Sequence, residues 1–212
     1  MDCKLFQGIS EDELRHFLDD VGAKEITCKR NQVIVHQGEY VKNVYVCLEG
    51  AFNVESVNFC GETSLISHIS KGGYFGGAFA FSDTPSPADL KALTQSTMLV
   101  IPIKKLAEKG NLDTTEVKIL RNLTVILAMK STSLITKIQH LTGRSIREKV
   151  ISYLSYESWT QGRNEVTIPF NRQELADYLA TDRSALSKEL SAMRNDGLIE
   201  YQKNRFILKF PL

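Results

Sequence analysis

The feature that most constrains this chain is the stretch Asp113–Leu141, which contains neither glycine nor proline. At ~1.5 Å per residue, a helix of this length is roughly 42 Å long, too long to be covered by one small domain. Leucine recurs in it every seven residues, and a companion row lies three residues before each leucine. The two rows are Leu120, Leu127, Leu134 and Leu141, and Val117, Thr124, Ser131 and Ile138. Because a seven-residue apolar repeat favours a partner helix, these eight residues predict a homodimer seam. The alternative is an amphipathic helix packed on its own domain.

The chain before this helix has the pattern of short strands separated by turns. Ser10–Val21 precedes them as a predicted helix, with Ser10 as its cap and Glu13 at the capping-box position. Glycines such as Gly38 and Gly50 separate the strands, as tight turns require. The pattern predicts an antiparallel barrel or roll. Its predicted strands are Lys24–Lys29, Gln32–Gln37, Asn43–Glu49, Ala51–Val57, Thr63–Ile69, Ala88–Thr94 and Thr97–Pro102.

After the long helix, Gly143 predicts a break, and Ser145 to about Ser158 predicts another helix. Trp159–Asn164 is interpreted as a polar connection and Glu165–Pro169 as a short strand.

The segment from Asn171 to Phe210 predicts a helix, a tight turn, a second helix and a hairpin. Asn171 and Glu174 form the first cap, and Asp182 caps the second helix after the turn at Ala180–Thr181. Gly197 ends that helix. The predicted hairpin joins Leu198–Tyr201 to Arg205–Phe210 across Gln202–Lys203–Asn204. This order of elements is typical of a winged helix-turn-helix.

The second of these helices, near residues 183–194, has two chemically distinct faces. Leu186, Leu190 and Met193 share the face that we expect to be buried. The opposite face carries basic and hydroxyl side chains and no acid, which suits the major groove of DNA. Its members are Arg183, Ser184, Ser187, Lys188 and Ser191.

Composition and the absence of certain motifs argue against membrane proteins, secreted proteins and enzymes. The chain has 212 residues, of which 42% are hydrophobic and 24% charged, with a net charge of +1. We find no apolar run long enough to span a bilayer and no secretory signal, so a cytoplasmic location without membrane contact is expected. The phosphate-binding G-x-x-x-x-G-K-[ST] motif is absent, and GGYFGG does not fit G-x-G-x-x-G. An enzyme is therefore not expected. A dimeric adaptor that binds protein instead of DNA stays open.

RQELADYLATDRSALSKEL, IVHQGEYVKNVYVCLEGAFNV and GGYFGGAFAF resemble segments of the cyclic-AMP receptor protein/fumarate-nitrate regulator (Crp/Fnr) family. The likeness covers nearly the whole chain. It implies an α+β fold, with a β-roll sensor domain (a cyclic-nucleotide-binding-like jelly roll) over residues 1–112, a dimerisation helix over 113–142 and a winged helix-turn-helix over 143–212. A bacterial transcription regulator that acts as activator or repressor is implied, with double-stranded DNA and RNA polymerase as partners.

By this resemblance, base-contacting roles fall on Arg183, Ser184 and Lys188. The family commonly has an acid where this chain has Ser184 and often an arginine where it has Lys188. We therefore expect an operator of unusual sequence that keeps two-fold symmetry. The full predicted DNA-binding set is Arg172, Gln173, Thr181, Arg183, Ser184, Ser187, Lys188, Ser191 and Lys203.

The sensor departs further from the family. Relatives that bind cyclic nucleotides hold the ribose with Gly-Glu and the phosphate with Arg-Ser, where this chain reads Gly76–Gly77 and Pro87–Ala88. Because a buried phosphate without a cation is costly, we expect neither cyclic AMP nor cyclic GMP to bind in that mode. An unidentified small-molecule effector, or none at all, remains open. The candidate effector pocket is Phe75, Gly76, Gly77, Ala78, Pro87 and Ala88.

No cofactor or metal is predicted. Only Cys3 lies near the N-terminus, which disfavours the iron–sulfur cluster of oxygen-sensing relatives. Cys28, Cys47 and Cys60 are interpreted, with Cys3, as buried reduced thiols. His36 and His68 are candidate haem ligands, but histidines in strand patterns are more often structural. Phe75, Phe79 and Phe81 could line an apolar effector site or form plain core.

Overall fold

The computed structural model describes residues 3–209, with the backbone alone at Ala107. Contacts divide the chain into two compact units, with the boundary between Met129 and Lys130. The boundary lies inside the long helix, so the first part of that helix belongs to the N-terminal unit and the rest to the C-terminal unit. The domain limits expected at 112 and 142 stay a prediction.

The N-terminal unit begins with a short 3-10 turn, Lys4–Phe6, and helix α1, Glu11–Val21. The capping box predicted for α1 is confirmed. The Ser10 hydroxyl accepts the Glu13 backbone N–H at 3.3 Å, and the Glu13 carboxylate accepts the Ser10 N–H at 2.8 Å. Lys118 of the long helix also pairs with Glu13 at 2.9 Å, and its hydrogen bond is the main cause that lowers the Glu13 pKa to about 2.

All seven predicted strands are present, with ends within two residues of the prediction. Two four-stranded antiparallel sheets form the roll, in the orders β1-β8-β3-β6 and β2-β7-β4-β5. The sequence did not predict the two-residue strand β6 or the short helices α2 and α3. The strands are β1 Lys24–Cys28, β2 Val33–Val35, β3 Val44–Glu49, β4 Ala51–Val57, β5 Thr63–Ser70, β6 Tyr74–Phe75, β7 Asp89–Ala92 and β8 Ser96–Ile101; the helices are α2 Gly77–Ser82 and α3 Lys104–Glu108.

Strand β3 shows why its sequence is continuously apolar. Side chains alternate along a strand, and here both faces are covered. Val44 and Val46 join one buried cluster with α1 and the long helix, while Tyr45 and Cys47 join a second cluster between the two sheets. Cys3, Cys28 and Cys47 are buried as predicted. The same prediction is wrong for Cys60, because it lies exposed in the β4–β5 turn.

Helix α4 spans Thr114–Leu141, which confirms the long helix. Its first half buries Glu116, Ile119, Leu123 and Ile126, and the three apolar members pack against the roll. The predicted seam lies on a neighbouring face. Two of its members, Leu120 and Leu127, also pack against the core of the N-terminal unit, whereas Val117, Leu134 and Ile138 are exposed. The homodimer seam stays a prediction.

In the C-terminal unit, helix α5 runs Ile146–Gln161 from the Ser145 cap. The predicted polar connection at Trp159–Asn164 is wrong for its first three residues, because the helix continues to a left-handed Gly162. Ser158, expected near the helix end, is instead buried and donates to the Arg163 carbonyl at 2.7 Å.

The remaining elements follow the predicted order. They are β9 Glu165–Thr167, α6 Arg172–Tyr178, α7 Arg183–Asn195, β10 Ile199–Gln202 and β11 Arg205–Leu208. Strand β9 ends two residues before the predicted Pro169. It pairs with β11, which makes a three-stranded sheet in the order β10-β11-β9. The predicted strand end at Phe210 lies outside the described residues. Between residues 3 and 209, no helix is both long and apolar enough to cross a membrane.

Candidate nucleic-acid interface

Helices α6 and α7 form a helix-turn-helix with the predicted caps. The Asn171 side chain accepts the Gln173 and Glu174 N–H groups at 2.9 and 3.0 Å, and Glu174 returns the bond to the Asn171 N–H. Ala180 adopts a left-handed φ of 46° in the turn. Asp182 then caps α7 by accepting the Ala185 N–H at 2.8 Å, and its pKa is lowered first by the hydroxyl of Ser184.

The two faces of α7 are largely as predicted. Leu186, Leu190 and Met193 are fully buried, so they fix the helix on α5 and α6. Arg183, Ser184 and Lys188 are exposed on the opposite side, and Ser187 is half-buried.

Arg147, which was not singled out from the sequence, pairs with one acid of α7 and with the acid that follows the helix. Arg147 of α5 donates from Nε to Glu189 at 2.6 Å, and its second terminal nitrogen pairs with Asp196 at 2.7 Å. Two carboxylates that would repel phosphate are thereby held by one guanidinium. Arg147 lies 42 residues before Glu189 and further still before Asp196, so no local motif could have revealed these contacts.

The prediction that Ser191 faces outward is wrong. Its side chain is half-buried, donates to the Ser187 carbonyl at 3.0 Å and lies 3.4 Å from the Tyr201 hydroxyl. Ser187 similarly donates to the Arg183 carbonyl at 2.9 Å, and Ser184 donates to the cap carboxylate of Asp182. Each hydroxyl retains acceptor capacity, but its donor is already used within the helix.

The hairpin of β10 and β11, here called the wing, turns at Lys203–Asn204. Gln202 pairs with Arg205, so the loop has two residues, one fewer than predicted, and Lys203 has a left-handed φ of 55°. Lys203 is exposed at this tip. Arg205, the first residue of β11, forms an ion pair with Glu165 of β9.

Arg172 contacts the wing through aromatic rings. Its guanidinium carbon lies 5.2 Å from the centroid of Tyr201 and 5.8 Å from that of Phe206, and burial lowers its pKa. Arg194, at the end of α7, lies 5.4 Å from the same Tyr201 ring. Tyr201 therefore joins the start of α6, the end of α7 and the wing.

An open groove of about 570 Å³ lies between the start of α6 and the wing tip. Two cationic residues, Arg172 and Lys203, line it together with Glu174. Its uncharged lining residues are Pro169, Phe170, Asn171 and Asn204. Of the other predicted contacts, Gln173 is exposed and donates to Asp177 at 2.8 Å, while Thr181 is half-buried in the turn.

We expect Tyr201→Leu to weaken DNA binding about fivefold or more, because two cation–π contacts of ~0.5–1 kcal/mol each are lost. Tyr201→Phe keeps the ring and should bind nearly as the parent does. Fluorescence anisotropy with a labelled duplex measures both. Equal affinities for the leucine and phenylalanine variants would show that stacking on this ring does not matter.

The predicted effector pocket is only partly assembled. Phe75 and Ala88 belong to the buried cluster between the sheets, whereas Ala78 and Pro87 are exposed. A Cβ at Gly76 would lie 2.3 Å from the Asn43 carbonyl oxygen, and one at Gly77 would lie 2.9 Å from Leu123 of α4. The segment where relatives hold the ribose is therefore packed closely against the protein itself.

Phe75, Phe79 and Phe81 were predicted either to line an apolar effector site or to form core, and they differ in burial. Phe75 is core, and Phe79 is half-buried with its ring centroid 5.7 Å from that of Phe75. Phe81 is exposed, so it belongs neither to the core nor to an enclosed site. His36 is exposed, and His68 shares a 3.1 Å hydrogen bond with the Asn53 side chain.

The seam residues of α4 form an exposed or half-exposed row. Val117, Leu134 and Ile138 are 51%, 61% and 60% exposed, large fractions for aliphatic side chains. Thr124 and Ser131 are exposed between them, and Leu120, Leu127 and Leu141 are half-buried. Ile135, at 58%, was not in the predicted row but is also uncovered.

Two family models match the chain, and together they span more than half of it. A cyclic nucleotide-binding domain matches residues 25–110, and a Crp-like helix-turn-helix domain matches residues 148–211. Comparison with curated protein sequences found no significant match.

Solved structures share the whole architecture at low identity. The catabolite activator protein of Thermus thermophilus is 19% identical and has a TM-score of 0.59, covering 97% of this chain and 93% of its own. The c-di-GMP responsive global regulator CLP of Xanthomonas campestris is 16% identical with a TM-score of 0.52, covering 93% and 98%. These likenesses establish the fold.

The fold and the two domain matches define a helix-turn-helix transcription regulator with a sensor domain of the cyclic-nucleotide-binding type. The chain belongs to the Crp/Fnr family.

Proposed function

We propose that this protein is a homodimeric regulator that reads a two-fold-symmetric operator with α7. The observation that carries the proposal is the acid-free exposed face of α7, with Arg183, Ser184 and Lys188, on a helix fixed by three fully buried apolar side chains. Arginine and lysine donate to guanine in the major groove, and the free acceptor of the Ser184 hydroxyl suits a base amino group.

Backbone contacts would come from the groove between α6 and the wing. Arg172 and Lys203 supply two cations there, and Gln173 lies beside them at the start of α6. Such contacts fix the register of a protein on the duplex without reading sequence. Arg147 supports this assignment, since its positive charge offsets part of the repulsion that Glu189 and Asp196 would otherwise exert on phosphates.

Dimerisation is supported by the uncovered row on α4. The row repeats every seven residues in the sequence, and its aliphatic members Val117, Leu134 and Ile138 are exposed. Such a pattern favours a partner helix, and a second copy of the same helix offers the matching surface. Two copies of α7 would then read half-sites about one helical turn apart.

Control would be exerted through the roll by an effector whose identity is open. A chain in which Gly77 and Pro87 replace the family's carboxylate and cation offers a cyclic phosphate no countercharge at those positions. The remaining expectations are that no haem, iron–sulfur cluster or other cofactor is bound and that the chain is not an enzyme. As a regulator that binds DNA and RNA polymerase, it would act in the cytoplasm.

Titration calorimetry should give no heat of binding for cyclic AMP or cyclic GMP at micromolar concentrations. The physical reason is the uncompensated cost of burying the phosphate. Cyclic di-GMP should be titrated in the same way, because the Xanthomonas relative is described as responsive to it. Micromolar binding of either mononucleotide would contradict the assignment of this sensor.

The function is tested by selecting bound sequences from a random pool of duplex DNA at two salt concentrations, followed by sequencing. An inverted repeat should be recovered, with binding that weakens steeply as salt rises. If the protein bound no DNA even at low salt, the proposal would be contradicted and an adaptor that binds protein would be favoured.

A further inference from the structure

Helix α4 ends in a buried histidine that the DNA-reading surface does not use. His140 is only 2% exposed. Its ring centroid lies 5.4 Å from those of Tyr153 and Tyr156 on α5 and 5.9 Å from that of Tyr178 on α6. A hydrogen bond of 3.1 Å joins Nδ1 to the Tyr178 hydroxyl. One side chain of α4 thus contacts both following helices through these three tyrosines, here called the tyrosine cage.

The cage is continuous with the groove beside the wing. The ring of Tyr178 lies 4.9 Å from that of Phe170, which also lies 6.0 Å from Tyr153. Phe170 lines the groove next to Asn171 and Arg172. A row of touching rings therefore connects the end of the dimerisation helix to the proposed phosphate contacts.

Few charged side chains face His140 and the tyrosine cage. On α4 itself, Lys137 places its ammonium 5.4 Å from the centroid of Tyr178. On α5, the carboxylate of Glu157 acts on Tyr153 and Tyr178, adding to the burial that raises the pKa of each hydroxyl. On α6, Tyr178 is the titratable group in contact. For His140, burial lowers the pKa below its ordinary 6.5.

We infer that His140 is a positioning residue whose neutral ring holds the winged helix-turn-helix on the end of α4, so that protonation of the ring weakens operator binding. The inference rests on the proposed function. It assigns acid sensitivity to one contact between the dimerisation helix and the reader, independent of any effector in the roll.

The direction of the pH dependence follows from the linkage between proton binding by His140 and docking of the winged helix-turn-helix on α4. A histidine with a lowered pKa in the docked state binds fewer protons there than in the undocked state. The neutral ring therefore stabilises the docked state fully above pH 6.5. This stabilisation is lost as the pH falls from 6.5 towards the pKa of His140 in the docked state. Each unit by which the docked-state pKa lies below the undocked value corresponds to a tenfold loss of operator affinity on acidification.

The experiment compares the full-length parent with His140→Phe on the selected operator at pH 7.5, 6.5 and 5.5. His16→Gln is the matched control, since His16 is exposed on α1 and the chain has four histidines, of which His140 alone follows Met129. Circular dichroism at pH 7.5 confirms folding. Tyr178→Phe, which keeps the ring but removes the hydroxyl, is a second variant in case the first does not fold.

The parent and His16→Gln should lose affinity on acidification relative to His140→Phe, and the histidine proton resonances should assign His140 a pKa below 6.5. Parallel pH profiles for parent and His140→Phe, or a pKa above 6.5, would overturn the inference while leaving the proposed function intact. If the parent bound no DNA at pH 7.5, the proposed function would fail and this inference with it.

Discussion

The double variant Arg183→Ala/Lys188→Ala is expected to bind the selected operator at least about 30-fold more weakly than the parent, since each lost base contact costs ~1–3 kcal/mol. Both side chains are exposed on α7 and lie outside its buried apolar cluster, so the fold should persist. Anisotropy titrations at fixed salt measure the change.

The matched control removes two positive charges elsewhere. Lys71 and Arg163 are exposed in different units, and neither lies on α7 or the wing. Lys71→Ala/Arg163→Ala should bind nearly as the parent does. A similar loss in both double variants would mean that only net charge matters, and no loss in either would support an adaptor.

The second large effect concerns the seam of α4. Leu134→Asp/Ile138→Asp places two charges on a row that is mostly solvent-exposed in one copy of the chain. A single subunit should tolerate them, whereas a dimer would have to bury them, which costs several kcal/mol. We expect the variant to sediment as a monomer at about 10 μM and to lose roughly 100-fold or more in operator affinity, because each monomer reads only one half-site.

Val125→Asp is the control for position on the helix. Val125 is 52% exposed on α4 but lies outside the seven-residue row. It should leave the dimer intact. If Val125→Asp dissociated the protein while the seam variant did not, the partner would dock on a different face of α4.

Local patterns predicted most of the fold. The caps at Ser10, Asn171 and Asp182 were predicted because capping is decided within three residues of the chain. The buried face of α7 was also predicted from local sequence, because Leu186, Leu190 and Met193 follow the helical period. Strand β6 was missed because two residues have no period, and it exists only by pairing with β3.

The parts of the candidate site that were not predicted depend on contacts distant in sequence. Arg147 meets Glu189 and Asp196, and Arg172 meets Tyr201, only after the C-terminal unit has folded. Ser191 was assigned to the outer face by periodicity alone, but the wing covers that end of α7. The roll-facing row of α4 was missed because two apolar rows with nearly the same period run along one helix.

The most direct test of the account is the stoichiometry of the complex on designed duplexes, measured by analytical ultracentrifugation. A duplex that carries the complete inverted repeat should bind two chains, and one with a single half-site should bind at least about 100-fold more weakly under the same salt. One chain per duplex, with equal affinity for both DNAs, would contradict a dimer that reads a symmetric operator.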